Sequence, residues 1–230
     1  MPIGVLINCF AVLLGGIIGG IGGKKMPQRV REALPKIFGF SAITLGIVKI
    51  LETRNLTVVI LALILGTIIG EILKLEDRLD GLAGKIISIV KKDKGKDSEL
   101  HTEMLVIVLI AFCVSGTGIY GALLEGFTGD ASILLSKSVL DFFTSIIFGS
   151  VVGYVVALIS IPQICISLAL YFGAKFIAPV FTSYVLGNFL AIGGAVTMIF
   201  GFKMADIVKI RAANVMPSLL IVLLLSLFIQ

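Results

Sequence analysis

The residues best suited to chemistry lie in one stretch, 113–141, where hydroxyl, carboxylate and ammonium groups interrupt an apolar sequence. The candidates in this stretch are Ser115, Thr117, Glu125, Asp130, Lys137 and Asp141. No other apolar part of the chain is so polar. Ionisable groups are rare in such surroundings because their burial is costly, so we interpret this stretch as the functional centre.

Lys137 and Asp141 are four residues apart, which places them on one face of a helix. If that helix begins near Ala131, Asp141 lies about 15 Å along it, at about 1.5 Å per residue. Two hypotheses explain the pair. It is an ion or proton site in which Lys137 is the resident counter-charge, or it is a neutralising pair that fixes the helix register.

The sequence Ser115-Gly-Thr-Gly-Ile-Tyr-Gly121 predicts an interruption of the preceding helix, since each glycine lowers helix propensity by about 1 kcal/mol. Broken backbone inside a membrane exposes amide and carbonyl groups that can hold ions. A glycine-rich helix packed closely on a neighbour is the alternative. Glu125 and Asp130 would then form an outer approach to the site.

Two asparagines complete the candidate ion or substrate site. Asn8-Cys-Phe-Ala11 and Asn188-Phe-Leu-Ala191 are similar, and a Gly-Gly pair follows each of them. Polar groups inside a membrane are costly and usually functional. We therefore add Asn8 and Asn188 to the candidates.

The composition indicates which kind of structure must position these residues. Of 230 residues 58% are hydrophobic and 14% are charged, whereas a soluble domain has about 25% charged residues. These values exclude a disordered chain, a disulfide scaffold and an ordinary soluble enzyme. Long apolar runs without alternation favour helices over a barrel. The predicted fold is all-α: a polytopic transmembrane helical bundle with one or more glycine-broken helices.

Eight apolar runs approach the length of about 20 residues that a membrane span needs. They cover 3–23, 37–51, 56–73, 104–124, 131–161 (bounded by Pro162), 163–180, 184–202 and 213–229. Seven spans are the alternative.

The basic residues predict the orientation. Fifteen of the 19 Lys and Arg residues lie in 24–36, 74–103 and 203–212, which fall on one side if there are eight spans. Since Lys and Arg are enriched in cytoplasmic loops, we expect these segments in the cytoplasm and both termini outside.

We expect one membrane domain, 1–230, with a cytoplasmic insert at 74–103. Within the insert, 74–92 has helical apolar spacing, and the following run to about residue 99 is strongly charged. A helix on the membrane surface or against the bundle is the plain interpretation, and a regulatory partner site is the alternative.

Glycines recur four apart at 15, 19 and 23, at 16 and 20, at 66 and 70, and at 149 and 153. Such spacing lets helices approach closely, either within one bundle or across a homodimer. The segments 10–20 and 143–153 are also similar, which suggests a parallel repeat of four plus four spans.

Other classes of chemistry lack support in the sequence. The three cysteines are isolated in apolar runs and the single histidine lies in a charged loop, so we predict no metal and no cofactor. We find no catalytic motif, and topology explains the net charge of +5 without nucleic acid.

The motifs 112–119, 125–130, 132–134 and 140–144 together resemble the central signature of the YdfK/YqgA-like bacterial membrane proteins. The resemblance extends over the whole chain, including Leu65-Gly, Ile69-Gly-Glu71 and Asn214-Val-Met-Pro217. It implies a multi-pass protein of the bacterial plasma membrane and no particular substrate. From the residues themselves we expect a transporter or channel for a small ion or polar solute. A non-transporting membrane scaffold or assembly partner is the alternative.

Overall fold

The structure is a computed structural model that describes residues 1–22, 27–81, 98–113, 115–177 and 182–229. All regular secondary structure among the described residues is helical, which confirms the all-α prediction. The helices are α1 Ile3–Gly22, α2 Gln28–Ile50, α3 Leu56–Leu73, α4 Ser98–Cys113, α5 Gly116–Thr128, α6 Ser132–Val152, α7 Val155–Leu158, α8 Ser160–Ile177, α9 Ser183–Met204 and α10 Ser218–Phe228, with a 3-10 turn at Ala212–Val215.

Six segments of the described residues are long and apolar enough to cross a membrane. They are Ile3–Gly22, Leu56–Leu73, Met104–Thr128, Ser132–Val152, Val155–Ala174 and Ser183–Met204, and Ala212–Phe228 is a shorter apolar helical segment. The predicted run 37–51 lies in α2, which is not one of the six. The structure therefore supports a helical membrane protein with several spans, and six candidate spans lie among the described residues.

The chain divides into two compact units. Unit 1 comprises Met1–Pro35 and Asp80–Phe176, and unit 2 comprises Lys36–Leu79 and Ile177–Gln230. Each unit is therefore built from two separate parts of the chain.

In unit 1, α1 and α6 pack side by side and run in the same direction. The hydroxyl of Ser145 donates to the carbonyl oxygen of Val12 at 2.7 Å, and the contacts along both helices keep a sequence spacing of 127–133 residues, as in a parallel pair. A Cβ atom at Gly15 would come within 2.5 Å of the Phe142 carbonyl oxygen, so only glycine allows this approach. The similar segments 10–20 and 143–153 are thus direct neighbours.

In unit 2, the helices pack in antiparallel pairs. Gly66 and Gly70 of α3 face Ser218 and Asn214, at and just before the start of α10. In the other pair, a Cβ atom at Gly46 of α2 would lie 2.6 Å from the carbonyl oxygen of Gly194 on α9. The glycines predicted to form packing faces at 15, 19, 66, 70 and 149 thus pack against segments of their own unit.

The predicted end of the fifth run, 131–161, is wrong. α6 stops at Val152 because Gly153 has a φ of 95°, a left-handed conformation that favours glycine. The chain then forms α7 and enters α8 at Ser160. Pro162 lies in the first turn of α8, where its missing N–H is tolerated, and does not mark the boundary.

The predicted interruption of the fourth run is present in the structure. α4 ends at Cys113, and Ser115 caps α5 by accepting a hydrogen bond from the Gly118 N–H at 3.1 Å. Of the predicted amphipathic segment, residues 75–81 are helical, and 82–97 lie outside the described residues.

Candidate functional site

A buried ion pair occupies the middle of α6. Lys137 Nζ lies 2.5 Å from Asp141 Oδ2, one helical turn away, and both residues are buried, 7% and 6% exposed. Removing two charges from water costs several kcal/mol per ion, which the pairing must offset. The sequence prediction that these two residues share one face and lie deep in the helix agrees with this geometry.

Two carboxamides from other helices extend the pair. Asn8 of α1 donates from Nδ2 to Asp141 Oδ2 at 2.8 Å. Gln163 of α8 donates from Nε2 to Asn8 Oδ1 at 2.6 Å, and its side chain is fully buried. We call the four residues Asn8, Lys137, Asp141 and Gln163 the polar network.

Sequence reasoning missed Gln163. Its signal was a carboxamide inside the apolar run Ser160–Leu170, one residue after a proline that drew attention to a boundary instead. Its hydrogen-bond partner in the network, Asn8 of α1, is 155 residues away in the sequence, so no local pattern reveals the contact.

The polar network has unused oxygen atoms. Gln163 Oε1 is buried and has no hydrogen-bond partner. Both donors to the Asp141 carboxylate use Oδ2, and no hydrogen bond within the described residues uses Oδ1. A buried acceptor without a partner is unfavourable and is uncommon in native proteins.

The interrupted helix lies against the ion pair. A Cβ atom at Gly118 would be 3.0 Å from Lys137 Cε, so the lysine side chain passes over the first turn of α5. Lys137 Nζ also lies 5.9 Å from the ring centre of Phe112, near the end of α4. The structure thus joins the Ser115 break to the pair, and Thr117 is half-buried in the same turn.

Glu125 is buried rather than open to solvent, at 2% exposed. Its two carboxylate oxygens accept hydrogen bonds from the backbone N–H groups of Gly4, at 2.7 Å, and Val5, at 3.1 Å. A carboxylate at this position satisfies the free donors and the dipole at the N-terminus of α1. Its place in the structure is therefore a helix cap.

Asp130 is exposed in the short connection between α5 and α6. The backbone N–H of Ser132 donates to its Oδ1 at 2.9 Å. This hydrogen bond, with a further one from the Ser132 side chain, holds the pKa of Asp130 below its ordinary value. The carboxylate of Asp130 is therefore exposed at the surface of unit 1.

Asn188 belongs to unit 2, where it also caps a helix. Its Oδ1 accepts from the backbone N–H groups of Arg54 and Asn55 at 3.0 and 2.8 Å, just before α3. Its Nδ2 donates to Ser226 Oγ at 3.2 Å. The two asparagines that look alike in the sequence thus have different partners.

Unit 2 contains a second, partly buried ion pair that sequence reasoning did not identify. Lys203 Nζ lies 2.6 Å from Glu76 Oε1, and the Ala213 N–H donates to Glu76 Oε2 at 2.9 Å. Glu76 lies in the predicted amphipathic helix of the basic segment 74–103, and Lys203 lies in the basic segment 203–212. Their opposite charges close to helix ends were the available signal.

α1 and α3 share several packing features at a constant spacing of 50 residues. The capped N–H groups of 4 and 5 correspond to those of 54 and 55, and the glycines 16 and 20 correspond to 66 and 70. At this spacing Asn8 corresponds to Val58, which is also fully buried. Helices packed in this way therefore do not require a polar residue at that position.

The described residues contain no group of three or more His, Cys, Asp or Glu side chains that could hold a metal ion. Cys9, Cys113 and Cys165 are free thiols. The potential ligands in the polar network are thus one carboxylate and two amide oxygens.

The fold and the site define a multi-pass α-helical membrane protein with a charged network inside its apolar helices. The chain belongs to the family described as "Protein of unknown function (DUF554)", which matches residues 3–227. It is similar to the uncharacterized protein YqgA of Escherichia coli (strain K12), with 38% identity over 98% of this chain and 97% of the relative. It is also similar to the uncharacterized membrane protein YdfK of Bacillus subtilis (strain 168), with 27% identity over 95% of this chain and 93% of the relative. No solved structure matches.

Proposed function

We propose that the protein is a transporter or channel for a small ion or small polar solute, and that the polar network is its site. The observation that carries the proposal is a charged pair held by Asn8 and Gln163 inside helices of membrane-spanning length, with Gln163 Oε1 left without a partner. Ionisable residues in such helices usually mark ion or substrate pathways.

Helix packing alone does not account for the network, and the comparison with α3 gives the reason. The corresponding helix of unit 2 also has close glycine contacts at the corresponding positions and a side-chain cap at its start, yet it carries Val58 where α1 carries Asn8. Apolar residues often stabilise as well as a buried ion pair does. A role in binding accounts for the retention of costly polar groups in unit 1.

We propose eight spans, and the helix directions support this number. α1 and α6 run parallel, which requires an odd number of crossings between them. α2, α3 and the interrupted α4–α5 provide three crossings. A count of seven that omits one of them would make α1 and α6 antiparallel.

For the orientation, we propose cytoplasmic positions for 24–36, 74–103 and 203–212, with both termini outside a bacterial plasma membrane. The support is the concentration of Lys and Arg in these segments. The helical stretch 75–81 would then belong to the cytoplasmic end of unit 2.

A homodimer is the proposed assembly. The glycine faces that first suggested it pack inside the units, so a second copy would have to use another surface. A single mass corresponding to one chain, measured in several mild detergents and in bilayers, would contradict the dimer.

A scaffold or assembly role is the second candidate function. One observation favours it: Asp141 Oδ2 accepts from both Lys137 and Asn8, so the charge is compensated in this state. A scaffold would keep its partner and its assembly when Asp141 is neutralised.

A flux assay in liposomes tests the proposal. The purified protein is screened with inorganic ions and small polar metabolites, and Asp141→Asn is compared with the wild type. Glu76→Gln is the matched control, because Glu76 is an equally buried carboxylate in the other ion pair, 7% exposed. We expect loss of flux in Asp141→Asn alone, and equal flux in both variants would contradict the proposed site.

A further inference from the structure

The Asp141 carboxylate fixes the direction of the hydrogen bonds that run from it to Gln163. A carboxylate in an ion pair only accepts, so Asn8 donates to it from Nδ2 and has its Oδ1 left for Gln163. Gln163 must then donate to that oxygen from Nε2, at 2.6 Å. Its own Oε1 is the acceptor that ends the series, and it is buried without a partner. A ligand at this position therefore has to donate a hydrogen bond.

The polar network also has hydrogen-bond donors to spare. The Lys137 ammonium carries three N–H groups, and the amides of Asn8 and Gln163 carry two each. Within the described residues, each of these three nitrogen atoms makes one hydrogen bond. A metal cation can use only the acceptor and a halide only the donors, whereas a solute with both kinds of group can use both.

The charges of the polar network already balance. Lys137 and Asp141 form one ion pair, and neither has a second ion-pair partner among the described residues. The other two members, Asn8 and Gln163, are neutral amides. A charged ligand would leave one charge without compensation in a buried site, which is strongly unfavourable. An uncharged ligand leaves the balance unchanged.

We propose that the polar network binds a small uncharged solute that has both hydrogen-bond donors and acceptors, as amides and polyols do. The inference rests on the proposed function, because it names the ligand class of that same site. The solute donates to Gln163 Oε1 from an N–H or O–H group, and its oxygen accepts from a remaining N–H of the network. The Lys137–Asp141 pair stays intact and, through Asn8, holds Gln163 in the orientation that leaves Oε1 for the ligand.

Three probes of similar size and planar shape but different charge test this preference. Urea is neutral, guanidinium is a cation and nitrate is an anion, and glycerol represents the polyols. Each is offered at millimolar concentration to liposomes that contain the wild-type protein, and flux into protein-free liposomes is subtracted. We expect urea or glycerol to cross at least about 10-fold faster than either ion. That factor corresponds to about 1.4 kcal/mol, which is less than the cost of an unbalanced buried charge.

Variants connect the preference to the network. Gln163→Leu removes the free acceptor and should lower urea and glycerol flux at least about 10-fold, since the solute then has no oxygen to donate to. Glu76→Gln, in the ion pair of unit 2, is the control and should behave like the wild type. Gel filtration before reconstitution shows whether each variant is folded, and the comparison of probes in the wild type needs no variant.

The possible results separate this inference from the proposed function. Faster Asp141-dependent flux of guanidinium, nitrate or an inorganic ion than of urea and glycerol would overturn the inference and leave the proposed function intact. Urea and glycerol flux that is the same in Gln163→Leu as in the wild type would also overturn it. The absence of Asp141-dependent flux for every probe and every ion would contradict both.

Discussion

At the scale of single residues, the Lys137–Asp141 pair was predictable because its geometry is local. Residues four apart on a helix meet, and a carboxylate in an apolar run needs a partner. Gln163 and the true position of Glu125 were not predictable in this way. Both depend on α1, which is more than 100 residues away from either in the sequence.

Charge compensation within the pair leads to the first stability prediction. Lys137→Met leaves the Asp141 carboxylate buried without its counter-ion, which we expect to cost about 3–5 kcal/mol of unfolding free energy. Adding Asp141→Asn to Lys137→Met removes the isolated charge, so the double variant should be more stable than Lys137→Met alone. Unfolding in mixed detergent micelles measures both, and a double variant less stable than Lys137→Met would refute the coupling.

The cap on α1 gives a second prediction. Glu125→Ala removes the acceptor from two buried N–H groups, those of Gly4 and Val5. Leaving a buried donor unsatisfied costs about 1–3 kcal/mol, so a loss in that range or above it is expected. Glu125→Gln retains one oxygen and should lose less, and equal losses in the two variants would argue against the cap.

At the scale of helices, the sequence predicts interiors better than ends. The apolar run 56–73 coincides with α3, and the glycine-rich interruption at Ser115 is where the fourth run divides. The end of α6 was misplaced because Pro162 looked like the stronger boundary. The actual boundary is a single backbone conformation at Gly153, which composition does not reveal.

The need for glycine at position 153 can be tested by comparison with a glycine that has no such constraint. Gly153→Ala forces a side chain into a φ of 95°, which we expect to cost about 1–3 kcal/mol. Gly173→Ala is the control, since a Cβ atom there would meet nothing within 4 Å. Thermal unfolding of both variants decides the matter, and a Gly153→Ala variant as stable as Gly173→Ala would contradict the account.

At the scale of the whole molecule, composition and hydropathy were enough to predict a helical membrane protein. They were not enough to predict which helices pack together, because lipid-facing and buried sides are equally apolar. Only the packed structure shows that unit 1 takes its first helix from the start of the chain and the others from 80–176.

The proposed topology predicts a pattern of labelling in intact cells. A single cysteine placed in 91–98, in a variant without Cys9, Cys113 and Cys165, should resist a membrane-impermeant thiol reagent until the cells are opened. A cysteine placed after Phe228 should react at once. Labelling of the 91–98 position from outside would contradict the orientation.

The central claim is that the polar network serves binding and not the stability of the helix packing. The most direct test measures flux and unfolding together for Gln163→Leu, which replaces a buried side chain that has an unpartnered oxygen with an apolar one of similar size. We predict flux at least about 10-fold lower, equivalent to about 1.4 kcal/mol in the barrier. Stability should change little, because the variant removes the unsatisfied Gln163 Oε1 but also leaves Asn8 Oδ1 without its donor. Unchanged flux, or a loss of flux that only follows a loss of folded protein, would contradict the account.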